Sequence, residues 1–122
     1  MKLREAIEQV DRNLVNVCTQ KDKIAWLSQL DSRVKAKIID THEGEEKVVF
    51  DGYDEKTDPD TELLVYAPFD ERYLRWLEAR IHYANQEESR YNNAIATFEV
   101  LWMEFRNDYN RRHMPIGHRL KF

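Results

Sequence analysis

The stretch Ala67–Pro115, APFDERYLRWLEARIHYANQEESRYNNAIATFEVLWMEFRNDYNRRHMP, decides the fold. It predicts two helices rich in aromatic residues, followed by a basic tail. Pro68 suits a helix start, where its missing N–H would have no partner, and Asp70 and Glu71 complement the positive end of the helix dipole. Leu74, Leu77, Ile81 and Ala84 then form one apolar stripe, with Tyr73, Trp76 and Tyr83 as a second stripe beside it. A helix apolar on two adjacent sides is touched from two sides, either deep in a core or at a subunit interface. Asn85 and Gln86 predict a short turn. The last helix runs to about Arg111, with Tyr91, Ile95, Phe98, Trp102, Phe105 and Tyr109 spaced 4, 3, 4, 3, 4. Ala94 and Leu101 widen that seam. A free coiled coil would favour Leu, Ile and Val there, so the seam predicts the central helix of a bundle, packed on the second and third helices. Pro115 and Gly117 end all helical structure and leave His113–Phe122 as a basic, partly apolar arm.

Upstream, Leu3, Ile7, Val10 and Leu14 mark one face of a first helix. Asn13–Cys18 is a break. Thr19 reads as the N-cap of a second helix: its hydroxyl accepts from a free first-turn amide, and Asp22 adds a favourable negative charge. Ile24, Leu27, Leu30, Val34 and Ile38 give that helix its 3.6 period, and Gly44 is the expected stop, since glycine enters the left-handed cap conformation without penalty.

Between the helical halves, Lys47–Phe50 and Leu63–Tyr66 are short runs expected to pair as a hairpin. The twelve residues between them, DGYDEKTDPDTE, hold Gly52, Pro59 and the acids Asp51, Asp54, Glu55, Asp58 and Asp60, and predict a long exposed loop, binding or mobile. The expectation is a mainly α fold. It has a small helical bundle of about four helices over residues 1–112, a short β-hairpin with its acidic loop over about 45–66, and an extended C-terminal arm over 113–122.

With 34% charged and 42% hydrophobic residues, the chain of 122 residues has the balance of one globular domain rather than a disordered segment. Three Trp, six Tyr and five Phe supply large core pieces. The single cysteine, Cys18, allows no intrachain disulfide and fits a reducing compartment. No apolar run approaches the roughly 20 residues of a membrane span. The N-terminal residues form an amphipathic helix start without a signal-peptide core, which places the chain in a cytoplasm.

The formal net charge of −4 is unevenly spread. Glu43–Glu62 holds nine acids and two lysines, whereas Arg106–Phe122 holds four arginines, one lysine, two histidines and one acid. An acidic loop and a basic tail on one small domain can pair head to tail between copies, or be two solvated segments. Arg106, Arg111, Arg112, Arg119 and Lys121, interleaved with Tyr109, His113 and Phe122, have the chemistry to contact phosphate. The competing reading is a helix end that complements its own dipole and a tail that docks on protein. The negative bulk charge favours the second.

No catalytic constellation stands out. His42, His82, His113 and His118 lack the i, i+3 or i+4 pairing that brings two imidazoles to one metal ion. With Asp51 or Asp54 as its first position, the acidic loop fails as a calcium loop: Lys56 or Pro59 stands where the turn needs glycine. There is no phosphate-binding glycine motif and no nucleophile elbow. Cys18 has no local cation to lower its pKa. The chain is read as non-enzymatic, with no cofactor and no metal.

One resemblance extends this reading. Lys23-Ile24-Ala25-Trp26-Leu27-Ser28-Gln29-Leu30-Asp31, Ala67-Pro68-Phe69-Asp70-Glu71, Tyr73-Leu74, Tyr83-Ala84-Asn85, Glu88, Arg90-Tyr91-Asn92-Asn93-Ala94, Phe98, Tyr109-Asn110-Arg111 and His113-Met114-Pro115 resemble small proteins of tailed-phage structural modules, the head–tail connectors, also called adaptors or head-completion proteins. The match runs through most of the chain. The resemblance implies a virion protein, made in the host cytoplasm, whose copies form a ring (twelve in the family). That ring docks beneath the portal and offers a platform to stopper or tail proteins, while genomic DNA passes through its lumen without sequence-specific binding and no membrane is involved.

Under it, Arg111, Arg112, His113, Met114, Pro115, Ile116, His118, Arg119 and Phe122 form a portal-gripping arm. Tyr73, Trp76 and Tyr83 make subunit contacts, with simple core packing as the alternative. Asp51, Asp54, Glu55, Asp58 and Asp60 face a neighbour or the lumen. The alternatives are another small neck protein, a stopper or tail-completion protein, and a nucleic-acid-binding regulatory or packaging accessory protein.

Overall fold

The structure, a computed structural model, describes residues 1–39 and 50–112. Its order is α1 (Leu3–Asn13), α2 (Gln20–Lys37), a 3-10 turn (Phe69–Glu71), α3 (Arg72–Ala84) and α4 (Glu88–Arg112). The fold is mainly α, a small helical bundle, as the periodicities predict.

The caps explain the boundaries. Thr19 Oγ1 accepts from the Asp22 N–H at 3.1 Å, so the expected N-cap opens α2. The Lys2 N–H donates to Glu5 Oε1 at 3.1 Å and satisfies one free amide at the start of α1. Helix α2 stops at Lys37 rather than Gly44, which lies outside the described residues. Pro68 does not itself open α3: it precedes the 3-10 turn, after a cis Ala67–Pro68 peptide, and the α-helix begins at Arg72. Gln86, at φ 59°, makes the tight turn into α4.

The bundle is centred on α3, not on α4. Among the described residues, helix α3 packs against α1, α2, the 3-10 turn and α4, whereas α4 packs mainly on α3 and the 3-10 turn, with Arg33 of α2 reaching over Trp102 at 5.6 Å. The aromatic seam of α4 does face inward: Ala94, Phe98 and Phe105 are buried, and Tyr91, Ile95, Leu101, Trp102 and Tyr109 half-buried. The seam's period gave the right face but not the number of neighbours. Leu27, Leu30, Val34, Tyr73, Leu77, Ile81 and Phe105 have no measurable exposure and form the floor of the core, joined by Leu3, Ile7 and Val10 from α1.

Among the described residues there is no hairpin. Lys47–Val49 lie outside the described residues, and Leu63–Tyr66 is irregular chain, of which Leu63 lies beside the N-terminus. Lys2 and Glu62 form one antiparallel bridge. The Leu3, Arg4 and Leu63 N–H groups donate to Thr61, Pro59 and Met1 carbonyls at 2.9 Å each. The acidic loop thus serves as acceptor for amides that α1 cannot pair internally.

Candidate functional site

Asp31 lies on the apolar face of α2, in the 3,4,3,4 series 24, 27, 31, 34, 38. That position buries its carboxylate completely. An isolated buried carboxylate is costly, and this one collects three donors. The Tyr53 hydroxyl donates to Oδ2 at 2.5 Å and the Tyr73 hydroxyl to Oδ1 at 2.6 Å. The Leu64 N–H donates to Oδ2 at 3.1 Å. The Val65 N–H in turn donates to the Tyr73 hydroxyl at 2.7 Å. One side chain on α2 thereby fixes α3 and both ends of the segment 53–65. Burial pushes the Asp31 carboxyl up, opposed by the two phenols, and pushes both phenols up with it.

Arg72 is the second buried charge. Its guanidinium has no hydrogen-bond partner among the described residues. It lies over Trp102 at 4.5 Å and over Phe105 at 4.8 Å, so the faces of the α4 seam replace hydrogen bonds with quadrupole attraction. Burial lowers its pKa to about 10, with Tyr73 and Asp31 acting in the opposite sense.

The C-terminal end of α4 is rooted on Asp108. Tyr66 donates to Asp108 Oδ2 at 2.8 Å, Arg112 Nε stands 2.8 Å from the same oxygen, and Arg111 stands 3.3 Å from Oδ1. The Arg112 guanidinium covers the Tyr66 ring at 5.1 Å. The Tyr66 hydrogen bond and the two guanidinium groups hold Asp108 below the ordinary carboxylate value, against burial. Burial beside Asp108 pushes the Tyr66 phenol up to about 12. Of the expected arm, Arg111 and Arg112 are exposed helical residues, while His113, Met114, Pro115, Ile116, His118, Arg119 and Phe122 lie outside the described residues.

The acidic loop is more built than its composition suggests. Asp54 Oδ1 accepts from the Lys56 N–H at 2.8 Å, and Thr57 Oγ1 accepts from the Asp54 N–H at 2.8 Å. Asp58 Oδ1 accepts from the Asp60 N–H at 2.9 Å. Asp60 meets Arg4 at 2.8 Å, and that guanidinium holds its carboxyl below the usual range. Three of the five acids therefore make turns or an ion pair. Asp51 and Glu55 are exposed, and Glu55 edges a cleft of about 220 Å³ with Arg4 and Lys21. Gly52 enters the loop at φ 93°, and Tyr53 drops from it into the core.

The expected subunit stripe does not form one surface. Tyr73 is fully buried on Asp31, and Trp76 is buried, donating its indole N–H to the Trp26 carbonyl at 2.9 Å. These two are core residues because α2 and α4 cover the sides of α3 on which they lie. Tyr83 alone is exposed, at 62%. It stacks edge-on with Tyr91 at 5.5 Å on the wall of a cleft of about 520 Å³, with His82, Glu87 and Asn92. His82 Nδ1 lies 3.2 Å from Glu87 Oε1, and Arg90 pairs with the other oxygen of Glu87 at 3.0 Å. Among the described residues, no three His, Cys, Asp or Glu gather as metal ligands, and no helix is long and apolar enough to cross a membrane.

Asp31, Arg72 and Asp108 are organising residues that the apolar periods and charge pattern, each taken alone, do not single out. For Asp31 the signal was present, an acid at a core position of an apolar period. For Arg72 there was none, because the residue opens its helix and its burial depends on α4. No family model matches the chain, and neither does any curated protein or solved structure.

Proposed function

We propose that this protein is a structural component of a phage neck, a head–tail connector whose copies form a ring on the portal and whose lumen passes the genome. The observation that carries the reading is the root of the arm. Arg111 and Arg112 are both tied to Asp108, which is tied to Tyr66, so the last turn of α4 leaves the bundle in a fixed direction with exposed cations at its end. A helix end held in this way is suited to aim a following segment at a partner. The exposed carboxylates Asp51 and Glu55 on the loop give the body a surface of the opposite sign, which suits a channel that must not hold phosphate. The residues resembling the connector family include both this helix end and Asp31, the hub of the core.

The test is co-sedimentation of the purified chain with the portal encoded in the same gene cluster, with the particles imaged by electron microscopy. A ring stacked on the portal, lost when residues 112–122 are removed, is the expected result. A chain that stays monomeric, leaves the portal bare and binds duplex DNA with a steep salt dependence would replace this reading with a nucleic-acid-binding one.

A further inference from the structure

Helix α4 has a second face that the described residues of the bundle leave exposed. Asn93, Ala96, Val100, Met103 and Asn107 recur at 3, 4, 3, 4, opposite the aromatic seam, and all five are exposed. The stripe runs about 21 Å along the helix at ~1.5 Å per residue. Not one member is charged, in a chain whose residues are 34% charged. The outer face of a surface helix is where charge ordinarily collects, whereas loss of charge and the presence of Met characterise the middle of protein interfaces. Val100 and Met103, 58% and 49% exposed, form the apolar centre. Glu99 and Glu104 flank it and have no ion pair among the described residues.

A second apolar feature stands on a different element. Val15 and Val17 are 94% and 93% exposed, on the same side of the extended link between α1 and α2. The link is held in place: Asn16 Nδ2 donates to Asp11 Oδ1 at 3.1 Å and to the Leu14 carbonyl at 2.9 Å, and Asn16 Oδ1 accepts from the Cys18 N–H at 3.2 Å. The two valines therefore project as a rib fixed in advance. On either side of the rib in sequence are the exposed cations Arg12 and Lys21; of the acids close in sequence, Asp11 is taken by Lys23 at 2.6 Å and Asp22 sits in the first turn of α2.

We infer that the uncharged outer face of α4 is a protomer interface, covered by the Val15–Val17 rib of a second copy of this chain. The apolar centres match, and the carboxylates Glu99 and Glu104 of one copy meet Arg12 and Lys21 of the next. Because the two surfaces lie on different elements, the contact is heterologous, the kind that repeats around a ring and leaves no self-paired face. The inference rests on the connector reading and names the contact that would close the ring.

The test uses the full chain with Cys18→Ser as background. Val17→Cys and Met103→Cys proteins are oxidised separately and mixed, free and with the portal present. A disulfide dimer from the mixture, with little from either alone, is expected. Val100→Glu is expected to weaken assembly by roughly tenfold, the effect of losing a central interface contact. Dimers from Met103→Cys alone would overturn the inference, because α4 would then pair with itself. Portal-bound rings without the mixed disulfide would overturn it and leave the connector reading standing. The mixed disulfide without portal attachment would sustain it and remove the connector reading. No association in any setting would remove both.

Discussion

Tyr73 on α3 donates its phenolic hydrogen to Asp31 on α2 at 2.6 Å, across 42 positions of sequence, with both groups fully buried. The same phenol oxygen receives the Val65 N–H. Removing it strands a buried acceptor and a buried donor together. Tyr73→Phe is therefore expected to cost about 1–3 kcal/mol of unfolding free energy, more than Tyr53→Phe, which leaves Asp31 Oδ2 its Leu64 donor and strands no amide. Urea unfolding of both single variants and the double variant checks this. Additive losses would show that the two phenols do not share the carboxylate.

The acid limb of stability carries two opposed contributions. Burial, opposed by the hydrogen bonds of Tyr53 and Tyr73, raises the Asp31 carboxyl above 3.8, so the fold favours its protonated form. Its contribution is complete below 3.8 and is lost as pH rises through the folded value. Asp60, Asp108 and Glu87 are held low by Arg4, Tyr66 and His82 respectively, and their contributions are lost as pH falls through their folded values. Asp31→Asn removes only the first. The stability advantage of the natural chain over Asp31→Asn should shrink as pH is raised from about 4 toward neutrality. A constant difference over that range, measured by denaturant titration at each pH, would mean that Asp31 keeps one protonation state throughout.

Arg72 offers a test of what a caged cation contributes. Arg72→Met keeps the length and apolar stem of the side chain and removes a guanidinium with no hydrogen-bond partner among the described residues. The change in stability should be within about 1.5 kcal/mol of zero, since replacing a buried charge by a well-packed apolar side chain is often neutral or better. Trp102→Ala strips the ring from that cation and opens a cavity, and should cost about 3–5 kcal/mol. If Arg72→Met proved the more damaging in thermal unfolding, the guanidinium would have a partner that stacking does not describe.

Gly52 connects the core to the acidic loop at φ 93°, a region that a side chain disfavours. A Cβ there would stand 3.1 Å from Ser28 Oγ, the atom that receives the Tyr53 N–H at 3.0 Å. Gly52→Ala should cost about 1–2 kcal/mol and loosen the loop. Amide exchange at Tyr53 would quicken while amides within α4 keep their protection; slowed or unchanged exchange at Tyr53 would contradict the role given to glycine.

The helices were legible because apolar period and capping are local. Thr19 as a cap, the break after Asn13 and the inward side of α4 all follow from residues within a turn or two of one another. What was not legible depends on partners far away in sequence. The stripe of Tyr73 and Trp76 has the same spacing whether a neighbouring subunit or α2 and α4 cover it. The loop acids read as solvated charge because their acceptor roles toward Lys56, Asp60 and Arg4 appear only once the chain has turned. The face of Val100 and Met103 was legible in part: its period is plain, yet an exposed face and a face awaiting a neighbour are written in the same residues.

The position of α3 also constrains how the molecule can be made. Helices α1 and α2 present their apolar sides to a helix that begins only at residue 72, and that helix is in turn closed over by residues 88–112. During synthesis, more than half of the chain leaves the ribosome before the piece it must wrap exists. A product truncated anywhere before α3 is therefore not a smaller domain but an adhesive fragment. The core therefore closes only once α4 is available to cover α3, so that copies fit for assembly are those in which both helices are in place.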